Sequence, residues 1–294
     1  MSLHDEYARR TPFEIAFPDR SVLERLSADV AEEVEGRGDD SLLEAFMTTT
    51  AVGERVRDMR GPDAPPESGY PLAALLYHAV HFLRAGAPLY LLDTEVTRQL
   101  VAPEWPGSEP GADARAPEPL ASAGYLQLPQ HLVWVEGSSP AVSDGGARRT
   151  AAGGSGAASE SLDGLFWTVT GSDVLNVLPV SGLLPDRPGF GALPLPPAPL
   201  ADAHIWLEAT VRPGGEDFAS TLPGGELDRL YGVRAAGEVL KLLARFFAVV
   251  TTATRGVGSR VRLEARAPKD AAPDRSAGAP PSSRLPYTRV SLTG

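Results

Sequence analysis

The chain has 294 residues, 43% of them hydrophobic and 22% charged, enough apolar material for a sizeable core in one large domain or two small ones. Its net charge of −11 argues against general nucleic-acid binding, which needs a concentrated positive surface. The absence of cysteine excludes disulfides, thiolate metal sites and cysteine nucleophiles, and it fits a reducing compartment.

The opening MSLHDEYARRTPFEIAF carries early acids and lacks the apolar core of a secretory signal, so a cytoplasmic location is expected. Phe13 to Phe17 reads as a short strand. Ser21 to Val34 reads as a helix, because Leu23, Leu26, Val30 and Val34 recur at helical spacing and Ser21 with Glu24 forms a capping-box pattern. A second box, Ser41 with Glu44, opens a helix expected to reach Met59 and to end at Gly61-Pro62.

A third helix is expected from Pro71 to about Arg84, with Leu72, Leu75, Leu76, Ala79, Val80 and Leu83 along one stripe. His78 and His81 fall away from that stripe. Their spacing suits two imidazoles on one metal, but no further ligands are evident, so both are expected to be solvated. After the apolar run Leu89 to Leu92, Asp93 is placed to cap a shorter helix through Leu100.

The next dense segments are Tyr125 to Leu128, His131 to Glu136, Leu165 to Thr170 and Val174 to Val180, all rich in β-favouring residues. The two that carry tryptophan are apolar on both faces, which predicts central strands. Gly171-Ser172-Asp173 reads as a tight hairpin turn. Three Gly-, Ala-, Pro- and Ser-rich stretches, near 103–122, 138–161 and 267–284, are expected to be disordered insertions. The run Leu193 to Leu200 is proline-rich and reads as a stiff connector.

His204 to Val211 alternates, with Ile205, Leu207, Ala209 and Val211 on a core face and His204, Trp206, Glu208 and Thr210 on the other. An imidazole, an indole and a carboxylate at steps of about 7 Å are one form of a small-molecule site. They equally form an outer sheet face that the chain covers itself. Burying the indole of Trp206 is worth roughly 6 kcal/mol at about 25 cal/mol per Å², so something is expected to cover it. His204, Trp206 and Glu208 are therefore the candidate binding residues.

The longest helix is expected from Glu226 to about Thr252, stopping at Gly256. Glu238, Lys241 and Arg245 lie near one line of it. Each charge costs about 2.5–3.5 kcal/mol at a bilayer centre, and each Leu, Phe or Val returns only about 0.3–0.6 kcal/mol, so no membrane span is expected. Arg260 to Arg266 alternates strictly and must keep one face wet, and Tyr287 to Leu292 closes the set of strands.

Charge is unevenly spread: residues 1–69 hold 16 acids and 8 bases, net −8, whereas residues 255–294 hold 8 bases and 3 acids, net +5. No phosphate-cradling loop, dinucleotide fingerprint, HExxH or GxSxG pattern occurs. The expected fold is a single α+β domain over 1–294. N-terminal helices (about 12–101) precede a mostly antiparallel sheet packed against one long helix (about 123–294). The expected role is a non-catalytic interaction or accessory protein, with no cofactor, no metal and no catalytic residue. Two alternatives stand beside it: an enzyme or small-molecule binder around Trp206, and nucleic-acid binding through the arginine-rich C-terminal segment.

Overall fold

In the computed structural model the described residues are 12–35, 43–61, 69–102, 119–129, 132–136, 159–171, 173–181, 194–195, 197–203, 232–233, 236–256, 260–266 and 285–293. Five helices come first: α1 (Pro12–Ala16), α2 (Ser21–Val34), α3 (Leu43–Met47), α4 (Thr50–Arg60) and α5 (Gly69–Arg84). The stripe predicted for α2 is the face it buries, Leu23, Leu26, Val30 and Val34. Its cap differs from the expected box. The carboxylate of Asp19 accepts the Ser21 N–H at 3.0 Å, and Arg20 occupies the cap position without capping the helix through its side chain.

Two further expectations are corrected here. Phe13 to Ala16 is helical in α1 and Phe17 follows directly, its N–H bonded to the Phe13 carbonyl, which brings the two buried rings to one side, 5.6 Å apart. The helix expected to run from Ser41 to Met59 is broken at Thr48 and Thr49. Thr49 is extended and its side chain accepts from Val52 N–H, while the Glu33 carboxylate of α2 accepts the Thr50 and Ala51 N–H groups at 2.6 and 2.8 Å. Those bonds satisfy donors that a new helix start leaves orphaned, so the break is stabilised locally.

Strand β1 (Leu89–Leu92) leads into α6 (Thr94–Val101). Then follow β2 (Ala123–Gln127), β3 (Trp134–Glu136), β4 (Ser159–Val169), β5 (Val174–Ser181), β6 (Ala198–Pro199), a short 3₁₀ turn (Leu200–Asp202) and β7 (Gly232–Val233). Helix α7 (Ala236–Arg255), β8 (Val261–Arg266) and β9 (Tyr287–Leu292) complete the described elements. The sheet runs β6-β5-β4-β2-β1-β9-β8, and β3 branches off to pair β4 and β7.

The class is α+β, but the sheet is mixed. β1 pairs β2 and β9 in parallel, as β3 does β7, while the remaining pairs are antiparallel. Parallel neighbours need a crossover, and α6 supplies it between β1 and β2. The apolar run Leu89–Leu92, counted with the helical part, is therefore buried in mid-sheet. Of the two tryptophan strands, β4 is central as expected. β3 lies off the main path.

Side-chain alternation divides the core in two. Tyr125, Phe166, Leu178 and Val180 join the α1–α5 cluster on one face. Leu126, Leu165, Trp167 and Val177 join α6 and α7 on the other. The sheet is thus covered on both faces rather than by one long helix. Gly256, with φ +69°, ends α7 in the left-handed conformation that a glycine adopts without strain. Most of the stretches expected as insertions lie outside the described residues, but β4 begins at Ser159, inside the one assigned to 138–161.

Candidate functional site

The three sequence-predicted binding residues, His204, Trp206 and Glu208, lie outside the described residues, which stop at Ala203 on that side. Polar groups elsewhere gather in three places.

The first lies between α5 and the sheet. His78 is 1% exposed, against the expectation of a solvated residue. The reason is that α5 has no wet side over this stretch: Ala73 to Val80 are all buried, between the sheet and the helices packed on it. Its Nδ1 lies 3.0 Å from the hydroxyl of Thr168 on β4, and its Nε2 is buried without a hydrogen-bond partner. Burial, with a smaller contribution from His81, pulls the His78 pKa down from 6.5 to about 3, so the ring is neutral at physiological pH. Asn176 stands opposite Thr168 on β5, and its amide nitrogen is likewise buried and unpartnered. His81 is only partly buried and rests against Tyr77, with ring centroids 4.6 Å apart.

A neighbouring cluster sits at the irregularity in β4 between Leu162 and Gly164. The Tyr125 ring lies beside Phe166, and its hydroxyl lies against Gly164, where a Cβ atom would fall 2.1 Å from it. Only glycine leaves that space. The Gln127 amide donates to the Leu128 and Asp163 carbonyls at 3.1 and 2.8 Å, which fixes its orientation. The Tyr125 hydroxyl and the Gln127 Oε1 are buried without partners. Burial, and then the Asp163 carboxylate, raise the Tyr125 pKa well above its ordinary value, so the phenol keeps its proton.

The second place is on α7. Two of the charges expected along one line of this helix are covered, Lys241 at 4% and Arg245 at 2% exposure. Arg245 donates from Nη1 to the carbonyls of Leu100 and Ala102 at 2.7 and 2.6 Å. A cation thereby caps the C-terminus of α6, where the helix leaves carbonyls unsatisfied.

The third place is the β8 end of the sheet. Arg289 on β9 grips Asp93 with two bonds, 3.1 and 2.9 Å. That bond raises its already high pKa. Glu264 stands opposite Arg289 and pairs with both Arg262 and Arg266. Thr293 N–H bonds its partner Arg260, so Arg262, Glu264 and Arg266 turn their backbone groups toward β9. Leu263 and Ala265 turn theirs outward, and among the described residues β8 is the last strand on that side.

The chain matches no family model, no curated protein and no solved structure. Among the described residues no group of three or more His, Asp or Glu is arranged to hold a metal. Among them, too, no helix is long and apolar enough to cross a membrane. Sequence reasoning reached the β8 end only as a strand with a wet face. The signal was the strict alternation of RVRLEAR, but a repeat of two does not say which strand ends a sheet.

Proposed function

We propose that this protein works by binding another protein rather than by catalysis, with the β8 edge as its contact surface. One observation carries the reading. At the last strand of the sheet among the described residues, Leu263 and Ala265 direct N–H and C=O groups outward beside an Arg262 side chain that is 66% exposed. An edge of this kind accepts an added strand through backbone bonds, with side chains supplying selectivity. The cysteine-free composition fits a cytoplasmic location, which belongs to the same proposal.

The test is amide exchange in dilute protein. Leu263 and Ala265 should exchange far faster than Leu165 and Phe166 in the centre of the sheet. Slow exchange at both outward positions would mean that the edge is covered, and the reading would fall.

A second reading, small-molecule binding, draws support from the unpartnered polar atoms of Tyr125 and Gln127 on β2 and Asn176 on β5, the two strands that flank β4, and of His78 on the helix packed over them. Buried polar atoms without partners mark where an additional polar group belongs. In this reading His204, Trp206 and Glu208 remain proposed contacts, and His204→Ala with Glu208→Gln should abolish binding at nearly unchanged melting temperature. Nucleic-acid binding is the weakest reading, because Glu264 and Asp93 draw Arg262, Arg266 and Arg289 into ion pairs. Flow-through on heparin at low salt would end it.

A further inference from the structure

We propose that the β8 edge takes an extended segment of a partner protein as an added strand, and that this segment carries acids opposite Arg262 and Arg266 and a base opposite Glu264. The inference rests on the interaction reading above and names the chemistry of the partner.

The argument starts from the alternation of β8. Leu263 packs toward the α7 side of the core, whereas Arg262, Glu264 and Arg266 share the opposite face with Arg289. An added strand bonded to Leu263 and Ala265 brings its own same-face residues to about 4.5–5.5 Å from each of these side chains. The row reads plus, minus, plus. The complementary strand reads minus, plus, minus, with an apolar residue beside Leu263 on the other face. Charges on an edge ordinarily deter pairing. Alternating signs deter most strands while admitting the one with the inverse pattern.

A second copy of this chain meets that requirement only in part: antiparallel pairing of Leu263 with Leu263 sets Arg262 against Glu264 but Arg266 against Arg260, and pairing of Ala265 with Ala265 sets Glu264 against Arg266 but gives Arg262 no acid. Val261 already holds a partner within its own chain, so self-pairing is left with Leu263 and Ala265. Antiparallel pairing of Leu263 with Ala265 of a second copy sets Glu264 against Glu264 and Arg262 against Arg266. Like charges directly opposite are destabilising.

The probe is the peptide acetyl-Thr-Glu-Val-Lys-Val-Glu-Thr-amide, with acetyl-Thr-Lys-Val-Glu-Val-Lys-Thr-amide as its charge-reversed control. The first peptide should bind the full chain saturably, slow amide exchange at Leu263 and Ala265, and weaken as salt is raised. The control should not bind. Arg262→Glu should abolish binding while leaving the melting temperature within a few degrees, because Arg262 is largely exposed. Equal binding of both peptides, or of neither, with fast exchange at Leu263 and Ala265 overturns the partner assignment and leaves the open edge standing. Slow exchange in the unliganded monomer overturns both. Concentration-dependent dimerisation that Arg262→Glu abolishes would make a second copy the occupant and also overturn the proposal.

Discussion

The imidazole of His78 on α5 and the hydroxyl of Thr168 on β4 meet at 3.0 Å inside the protein and join the N-terminal helices to the sheet. The bond ties the helical layer to the middle of the central strand. Around it the rings of Tyr77, Phe82 and Phe166 pack within 6.3 Å of one another or of His78. Burial and His81 both act to lower its pKa.

Acid should therefore loosen this contact. The His78 pKa is about 3 in the folded chain and 6.5 when free. Between those values the unfolded chain binds a proton that the folded chain does not. Its contribution to stability is complete above pH 6.5 and is lost progressively as pH falls toward about 3. One proton gives a slope of at most about 1.4 kcal/mol per pH unit. Urea midpoints measured across this range should fall with pH, and His78→Gln should flatten the curve. An unchanged slope in the variant would show that His78 does not titrate as its burial requires.

Arg245 makes a different kind of bond, across the opposite face of the sheet. Its guanidinium is the donor for the last carbonyls of α6, so removing it orphans groups in the core. Hydrogen bonds to a charged donor contribute about 1.5–3 kcal/mol, and Arg245→Met should cost about 3 kcal/mol of unfolding free energy. Arg245→Lys should recover only part of that, because an ammonium does not reproduce the planar fork. A neutral Arg245→Met variant in denaturant unfolding would remove the capping role.

The cap that Glu33 gives α4 predicts a smaller effect. Its carboxylate holds two N–H groups of a helix that the sequence pattern joined to α3. Glu33→Gln keeps the size and loses the charge that favours a helix N-terminus, so a loss of about 1 kcal/mol is expected. Thermal unfolding of the variant checks it. A shift as large as that of Arg245→Met would mean that Glu33 has a wider role than capping.

These groups also show what the sequence disclosed. Helix α2 was readable because one side of it is wet, so its apolar stripe stands out at Leu23, Leu26, Val30 and Val34. The hairpin β4–β5 and strand β9 were readable from β-favouring runs and turn residues. Periodicity failed where an element is covered on every side. His78 breaks an apolar pattern, and a polar residue off the stripe was assigned to water, although it is buried. Phe13, Ile15 and Phe17 fit a repeat of two, and only packing selects the helix. Nothing local marks β1 as the parallel centre of a sheet, since its partners come from positions far along the chain. For the same reason the place of β8 at the end of the described strands was invisible, and His204, Trp206 and Glu208 lie outside the described residues.

The tightest test of the core is the pair Gly164 and Tyr125. A Cβ at Gly164 would lie 2.1 Å from the Tyr125 hydroxyl oxygen and 2.6 Å from the Leu126 carbonyl oxygen. Gly164→Ala should cost about 3 kcal/mol or more, at the upper end of what overpacking costs, because a backbone atom cannot swing aside. Tyr125→Phe removes a buried hydroxyl that has no partner, so it should be neutral or slightly stabilising. Combining the two relieves the clash with the hydroxyl but not with the Leu126 carbonyl. The double variant should therefore be more stable than Gly164→Ala alone by about 1 kcal/mol, yet remain less stable than the parent chain. Additive effects in a denaturant-unfolding cycle would mean that the ring and the glycine do not touch. A loss of more than about 1 kcal/mol from Tyr125→Phe alone would mean that its hydroxyl is bonded, and the small-molecule reading would lose one of its supports.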